Sequence, residues 1–141
     1  MTQEFVPYER ARALKGLGFD EPTSFYWEDN IIRPLPMKDE IGAFHFNRHA
    51  HTENEWICAP TFSQAFKFFR EKHNWQHSIE PTSDQQSGKL GYNYWIWNYK
   101  TGEEHYTMPK NRPSGDWEYE VYEQTELACL IKLIEIVKEK K

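Results

Sequence analysis

The sequence predicts an α+β domain: an antiparallel sheet with three helices packed mainly on one face, formed by residues 1–141 as a single domain. Three observations carry that prediction. Residues 122–141 (YEQTELACLIKLIEIVKEKK) hold no Pro or Gly and consist mostly of good helix formers. Residues 61–73 place Phe62, Ala65, Phe66 and Phe69 at i, i+3, i+4 and i+7, the spacing of one helix face. Between these helices, short aromatic and alternating runs follow one another across turn signals, which suits successive antiparallel strands rather than βαβ units.

Taken in order, the chain opens with a short helix within residues 5–19. Pro7 suits a first turn, while Tyr8, Ala11 and Leu14 share a face. Gly16 and Gly18 offer left-handed positions where that helix stops. Residues 20–23 read as a turn and residues 24–28 (SFYWE) as an aromatic strand. Residues 30–40, with Pro34 and Pro36, read as a loop. Strands are expected at 41–47 and near 55–59. In the middle helix, Thr61 and Gln64 have the spacing of a capping box. Residues 75–80 read as a strand and 81–89 (PTSDQQSGK) as a polar turn. Residues 90–99 (LGYNYWIWNY) carry aromatics on both faces, which marks a strand central in its sheet. Thr101-Gly102 closes a hairpin onto residues 103–108. A loop at 109–115 leads to a half-exposed strand at 116–121, where Trp117, Tyr119 and Val121 alternate with Glu118 and Glu120.

The closing helix is apolar over more than half its circumference, wider than one sheet covers. Leu127, Ile131 and Ile134 are assigned to the sheet, with Leu130 between the two sides. Cys129, Leu133 and Ile136 are assigned to an interface, so a homodimer is expected; the competing explanation is that the first helix packs there.

With 141 residues the chain is long enough for a core that needs no disulfide or metal. Its 38% hydrophobic content is modest, but 16% aromatics, including 6 Trp, supply large buried areas. Cys58 and Cys129 sit among apolar neighbours and read as reduced, buried residues. No secretory signal and no membrane-spanning run is read, so a cytoplasmic protein without a membrane partner is expected.

Four constellations bear on function. His49-x-His51-x-x-x-Glu55 has the spacing for one extended segment to offer a divalent ion two imidazoles and a carboxylate. Histidines on the polar face of a strand are more commonly just solvated, so no metal and no cofactor is expected, with these three residues kept as a minority metal set. The order helix, strand, strand, strand, helix from Thr61 onward is that of a double-stranded-RNA-binding module. Yet Glu118, Glu120, Glu123 and Glu126 stand where such a module needs lysines, and the net charge is −5, so no nucleic-acid polymer is expected as partner. For catalysis there is no Gly-x-Ser-x-Gly, no phosphate-cradling loop and no activated Cys. Glu103, Glu104 and His105 are simply neighbours along the chain, and no catalytic residue is assigned. The aromatics are the fourth constellation. Tyr92, Tyr94, Trp95, Trp97 and Trp117, with Arg112 as a cationic partner, are the candidate ligand-binding residues. The competing reading is that these aromatics are core.

Two segments, residues 59–73 (APTFSQAFKFFREKH) and 122–138 (YEQTELACLIKLIEIVK), resemble signatures of uncharacterised small proteins of Bacteroides-type bacteria and their phages and mobile elements. The opening FVPYERARALKGLGFDEP is similar to the start of the same proteins. The resemblance implies a phage-type accessory protein and carries no site residues. The function expected is therefore non-catalytic binding to a host protein. The alternative is sequestration of a small nucleotide-like ligand in an aromatic and cationic pocket.

Overall fold

A computed structural model describes residues 5–34, 56–83, 90–107 and 121–140. The architecture is α+β; among the described residues there are three helices, and the strands are divided between two antiparallel three-stranded sheets rather than gathered into one. The chain forms two compact units, residues 1–65 with 137–141, and residues 66–136.

In the first unit, α1 (Tyr8–Gly16) starts behind Pro7 and ends in a Schellman motif. Gly18 takes φ 98, and the N–H groups of Gly18 and Phe19 donate to the carbonyls of Lys15 and Leu14, both at 3.0 Å. Strand β1 (Phe25–Glu28) lies between β2 (Ile31–Pro34) and β3 (Trp56–Cys58). Trp27 faces both Ile32 and Ile57 across the ladders, and its indole N–H donates to the Val6 carbonyl at 3.0 Å. Val6 in turn donates its own N–H to the Pro60 carbonyl at 2.9 Å, tying the N-terminal segment to the chain just past β3. The strand β2 corrects the loop expected at 30–40 over residues 31–34, the remainder lying outside the described residues. Its Pro34 ends an edge strand, where a missing N–H costs no ladder bond. Asp29 makes the turn into it at φ 54, a conformation Asp tolerates.

Helix α2 (Phe62–His73) begins with the capping box read from the sequence: Gln64 N–H donates to Thr61 Oγ1 at 3.2 Å, and Thr61 N–H to Gln64 Oε1 at 2.9 Å. In the second unit β4 (Trp75–Ser83), β5 (Leu90–Asn98) and β6 (Glu104–Tyr106) form a meander with β5 central, as its aromatics on both faces predict. β4 runs on to Ser83, past the turn expected from Pro81, because Pro81 too lies on an edge strand of its sheet. The turn after Asn98 carries Gly102 at φ 79.

Helix α3 (Tyr122–Glu139) buries the residues assigned to an interface together with Ile134 of the set assigned to the sheet. Cys129, Leu133 and Ile136, expected to be open to a second copy, are 0%, 1% and 4% exposed within the chain, whereas Leu127 and Ile131 are only half-buried. Thr125, Cys129, Leu130, Leu133, Ile134, Ile136 and Val137 are the buried residues, and at 100° per residue they form a continuous arc of about half the helix, centred near Leu133. That leaves no uncovered apolar stripe at the three residues assigned to an interface. No helix among the described residues is long and apolar enough to cross a membrane.

Candidate functional site

The register of β4, β5 and β6 decides which side chains meet. Gln76, Ser78 and Glu80 stand opposite Trp97, Trp95 and Asn93, while Trp95 and Trp97 stand opposite Tyr106 and Glu104. Partners across a ladder point the same way, and residues two apart share a face. These eight residues therefore form one face of the sheet. The other face carries Trp75 and Ile96, both buried, and is the inner one.

On the outer face lies an open groove of about 370 Å³. Trp95 and Tyr106 line it, directly across the ladder from each other and 43% and 55% exposed. Two adjacent large aromatics left this exposed are more than the fold needs and are the usual mark of a contact surface. The Trp95 indole leans on that of Trp97, with ring centroids 5.3 Å apart and planes at 51°, which limits its freedom. Glu80 and Glu104 add two exposed carboxylates to the lining, and no Lys or Arg is among the described lining residues. Ser78 also lines the groove; its Oγ is buried and has no hydrogen-bond partner among the described residues. Asn93, Tyr94 and Thr107 complete the lining. The Thr107 hydroxyl accepts from Tyr94 N–H at 3.0 Å and lies 3.3 Å from Asn93 Oδ1, so it holds the end of β6 to β5.

The inner side of the same sheet is pinned to residues of α2. His77 stacks on Phe66 with centroids 3.7 Å apart and planes at 11°. Burial, and secondarily the Arg70 guanidinium, depress its pKa to about 4, so the imidazole is neutral at pH 7. Beyond the end of β5, the exposed Tyr99 donates from Oη to Asn74 Oδ1 at 2.8 Å, and Asn74 takes φ 65 just after the helix. The platform under the groove is thus braced by stacking and by hydrogen bonds rather than by aliphatic packing alone.

The candidate ligand-binding set divides. Trp95 and Trp97 lie on the outer face. Strand alternation puts the Tyr92 and Tyr94 side chains on the inner one, where Tyr92 meets Tyr122 edge to face at 5.8 Å, although Tyr94 still contributes to the groove lining. Arg112 and Trp117 lie outside the described residues, as do His49, His51 and Glu55. Among the described residues no group of three or more His, Cys, Asp or Glu is placed to hold a metal ion. The cation half of the aromatic and cationic pocket is missing from the described lining, which is aromatic and acidic. Ser78 and Glu80 were not singled out by the sequence reading; Glu104 was read only as a chain neighbour of Glu103 and His105, and Tyr106 only as one of the surplus aromatics. The polar alternation Gln76, Ser78, Glu80 was the available signal, since it marks the solvent side of a strand.

Two further groups speak to chemistry. His105 Nε2 and Glu103 Oε2 lie 2.7 Å apart, a partly exposed pair beside the β5–β6 turn. The Cys129 thiol is pushed up by burial and then by Glu126, so it stays protonated and is no nucleophile. No protein-family model, no curated protein and no solved structure matches the chain.

Proposed function

We propose that this protein acts by non-catalytic binding to another protein, with the outer face of β4, β5 and β6 as its docking surface. The observation that carries the reading is the exposed cross-strand pair Trp95 and Tyr106 over an open groove. Trp and Tyr are the residues around which protein-binding energy concentrates, and a groove of this size accepts one or two side chains of a partner. Acid–base chemistry between Glu80 and Glu104 is disfavoured, because both carboxylates are exposed and a catalytic pair needs environments that drive its two protonation states apart. A phosphate would meet those carboxylates without a described cation to hold it, so the nucleotide-like ligand is set aside. The accessory role, with a host protein as partner, comes from the resemblance at residues 59–73 and 122–138. Self-association through Cys129, Leu133 and Ile136 is not carried forward, since those side chains are buried.

The test is selection from a displayed random-peptide library, run in parallel on the wild-type protein and on Trp95→Ala with Tyr106→Ala. Peptides retained by the wild type and bound at least about tenfold more weakly by the variant support the reading. Failure to retain any peptide, or retention that ignores the two substitutions, contradicts it.

A further inference from the structure

We infer that the groove is an arginine-recognition site: its occupant is the guanidinium of an arginine side chain on the partner protein. The inference rests on the docking reading above and gives it a chemical class. Charge comes first. Glu80 and Glu104 are exposed carboxylates in the lining, with no described basic residue among them, so a cationic guest is attracted where an anion is repelled. Shape comes second. Trp95 is an exposed indole held in place by Trp97, with Tyr106 across from it, and the faces of Trp and Tyr attract cations. A guanidinium is planar, weakly hydrated and carries five N–H donors in a fixed fork. It can lie on an aromatic face while donating outward to carboxylates, which a compact, strongly hydrated ammonium does less well. The third observation is independent of both. Ser78 Oγ is buried at the groove without a hydrogen-bond partner among the described residues, a costly arrangement that a donor from a guest would relieve. Ser78 stands directly across the ladder from Trp95. Arginine offers donors alone, and this lining supplies acceptors for them in two carboxylates and one orphan hydroxyl.

The full-length chain, isotope-labelled for amide NMR, is titrated at low ionic strength with N-acetyl-L-arginine N-methylamide. The lysine and citrulline analogues, methyl β-D-glucoside and adenosine monophosphate are titrated separately. Saturable shifts are expected with the arginine probe at the amides of Ser78, Trp95 and Glu104 and at the Trp95 indole N–H. The lysine analogue is expected to bind about threefold more weakly. Citrulline, which keeps the shape and loses the charge, is expected to bind about tenfold more weakly. Glu80→Gln with Glu104→Gln, both on the exposed face, is expected to abolish the arginine response while the far-ultraviolet circular dichroism stays unchanged. Citrulline binding as well as arginine, a response that survives the double substitution, or no response to arginine overturns the inference. If the arginine probe is silent while library peptides still depend on Trp95 and Tyr106, the docking reading stands and the arginine assignment falls. If the glucoside or the nucleotide alone shifts these resonances, both fall.

Discussion

The side-chain amide of Asn98 donates to the carbonyl of His73 at 3.2 Å, joining the end of β5 to the last residue of α2. Its Oδ1 accepts from the N–H groups of Lys100 and Thr101 at 3.0 and 3.1 Å, and its backbone closes the turn through Glu103 and Gly102. One buried side chain therefore shapes the β5–β6 turn and bonds a carbonyl at the helix end. The hairpin that carries Glu104 and Tyr106 into the groove depends on it.

Replacing Asn98 with Ala leaves that carbonyl and two turn N–H groups without their partner. The expected cost is about 2–3 kcal/mol, read as a lowered midpoint in urea unfolding. Asn98→Asp keeps the acceptor and loses the donor, so it should fall between wild type and Ala. An Ala variant within about 0.5 kcal/mol of wild type would show that the turn holds itself together without the side chain.

His77 gives the fold a pH dependence of known sign. Unfolded, its imidazole takes up a proton near pH 6.5; folded, it resists until about pH 4. The stability supplied by the neutral ring is thus complete above pH 6.5 and is lost as pH falls through that window. With allowance for its partial exposure the loss is about 2 kcal/mol. His77→Phe retains a ring against Phe66 and cannot titrate. Its stability should fall less than that of the wild type between pH 7 and about pH 4.5. Parallel pH profiles for the two proteins would rule this out.

On α3 the burial pattern makes a contrast between two neighbouring aliphatics. Leu133→Ala should cost about 3 kcal/mol, because its side chain is 1% exposed and its removal leaves a cavity. Ile131→Ala, at a half-buried site, should cost about 1 kcal/mol. Leu133→Glu should unfold the chain rather than change its sedimentation. A folded Leu133→Glu variant would restore the case for an interface there.

Elements with strong local signals were legible in the sequence. The Thr61 and Gln64 capping box, the Gly18 stop and the central position of β5 each depend on a few residues close together. What escaped was set by distant partners. Pro34 argued for a loop, and only the sheet order reveals that it ends an edge strand. The apolar arc of α3 was visible, but which part of it faced inward depended on what the chain packs against it, so Leu133 was expected open and is buried, while Ile131 is half-buried. The groove was half legible. Trp95 and Trp97 stood out as an aromatic pair two residues apart. Glu104 and Tyr106 join them through the β5–β6 register, and Ser78 and Glu80 through that of β4–β5, at sequence separations that local pattern does not span.

The most direct measurement of the central claim is amide chemical-shift mapping of a library-selected peptide on the intact protein. The expected result is a contiguous set of shifts at residues 76–80, 93–97 and 104–107, with the alternate, outward-facing positions Ser78, Trp95 and Tyr106 shifting most and the set vanishing in Trp95→Ala with Tyr106→Ala. Shifts clustered instead on α1 or α3, with the outer face of β4, β5 and β6 unmoved, would contradict the account.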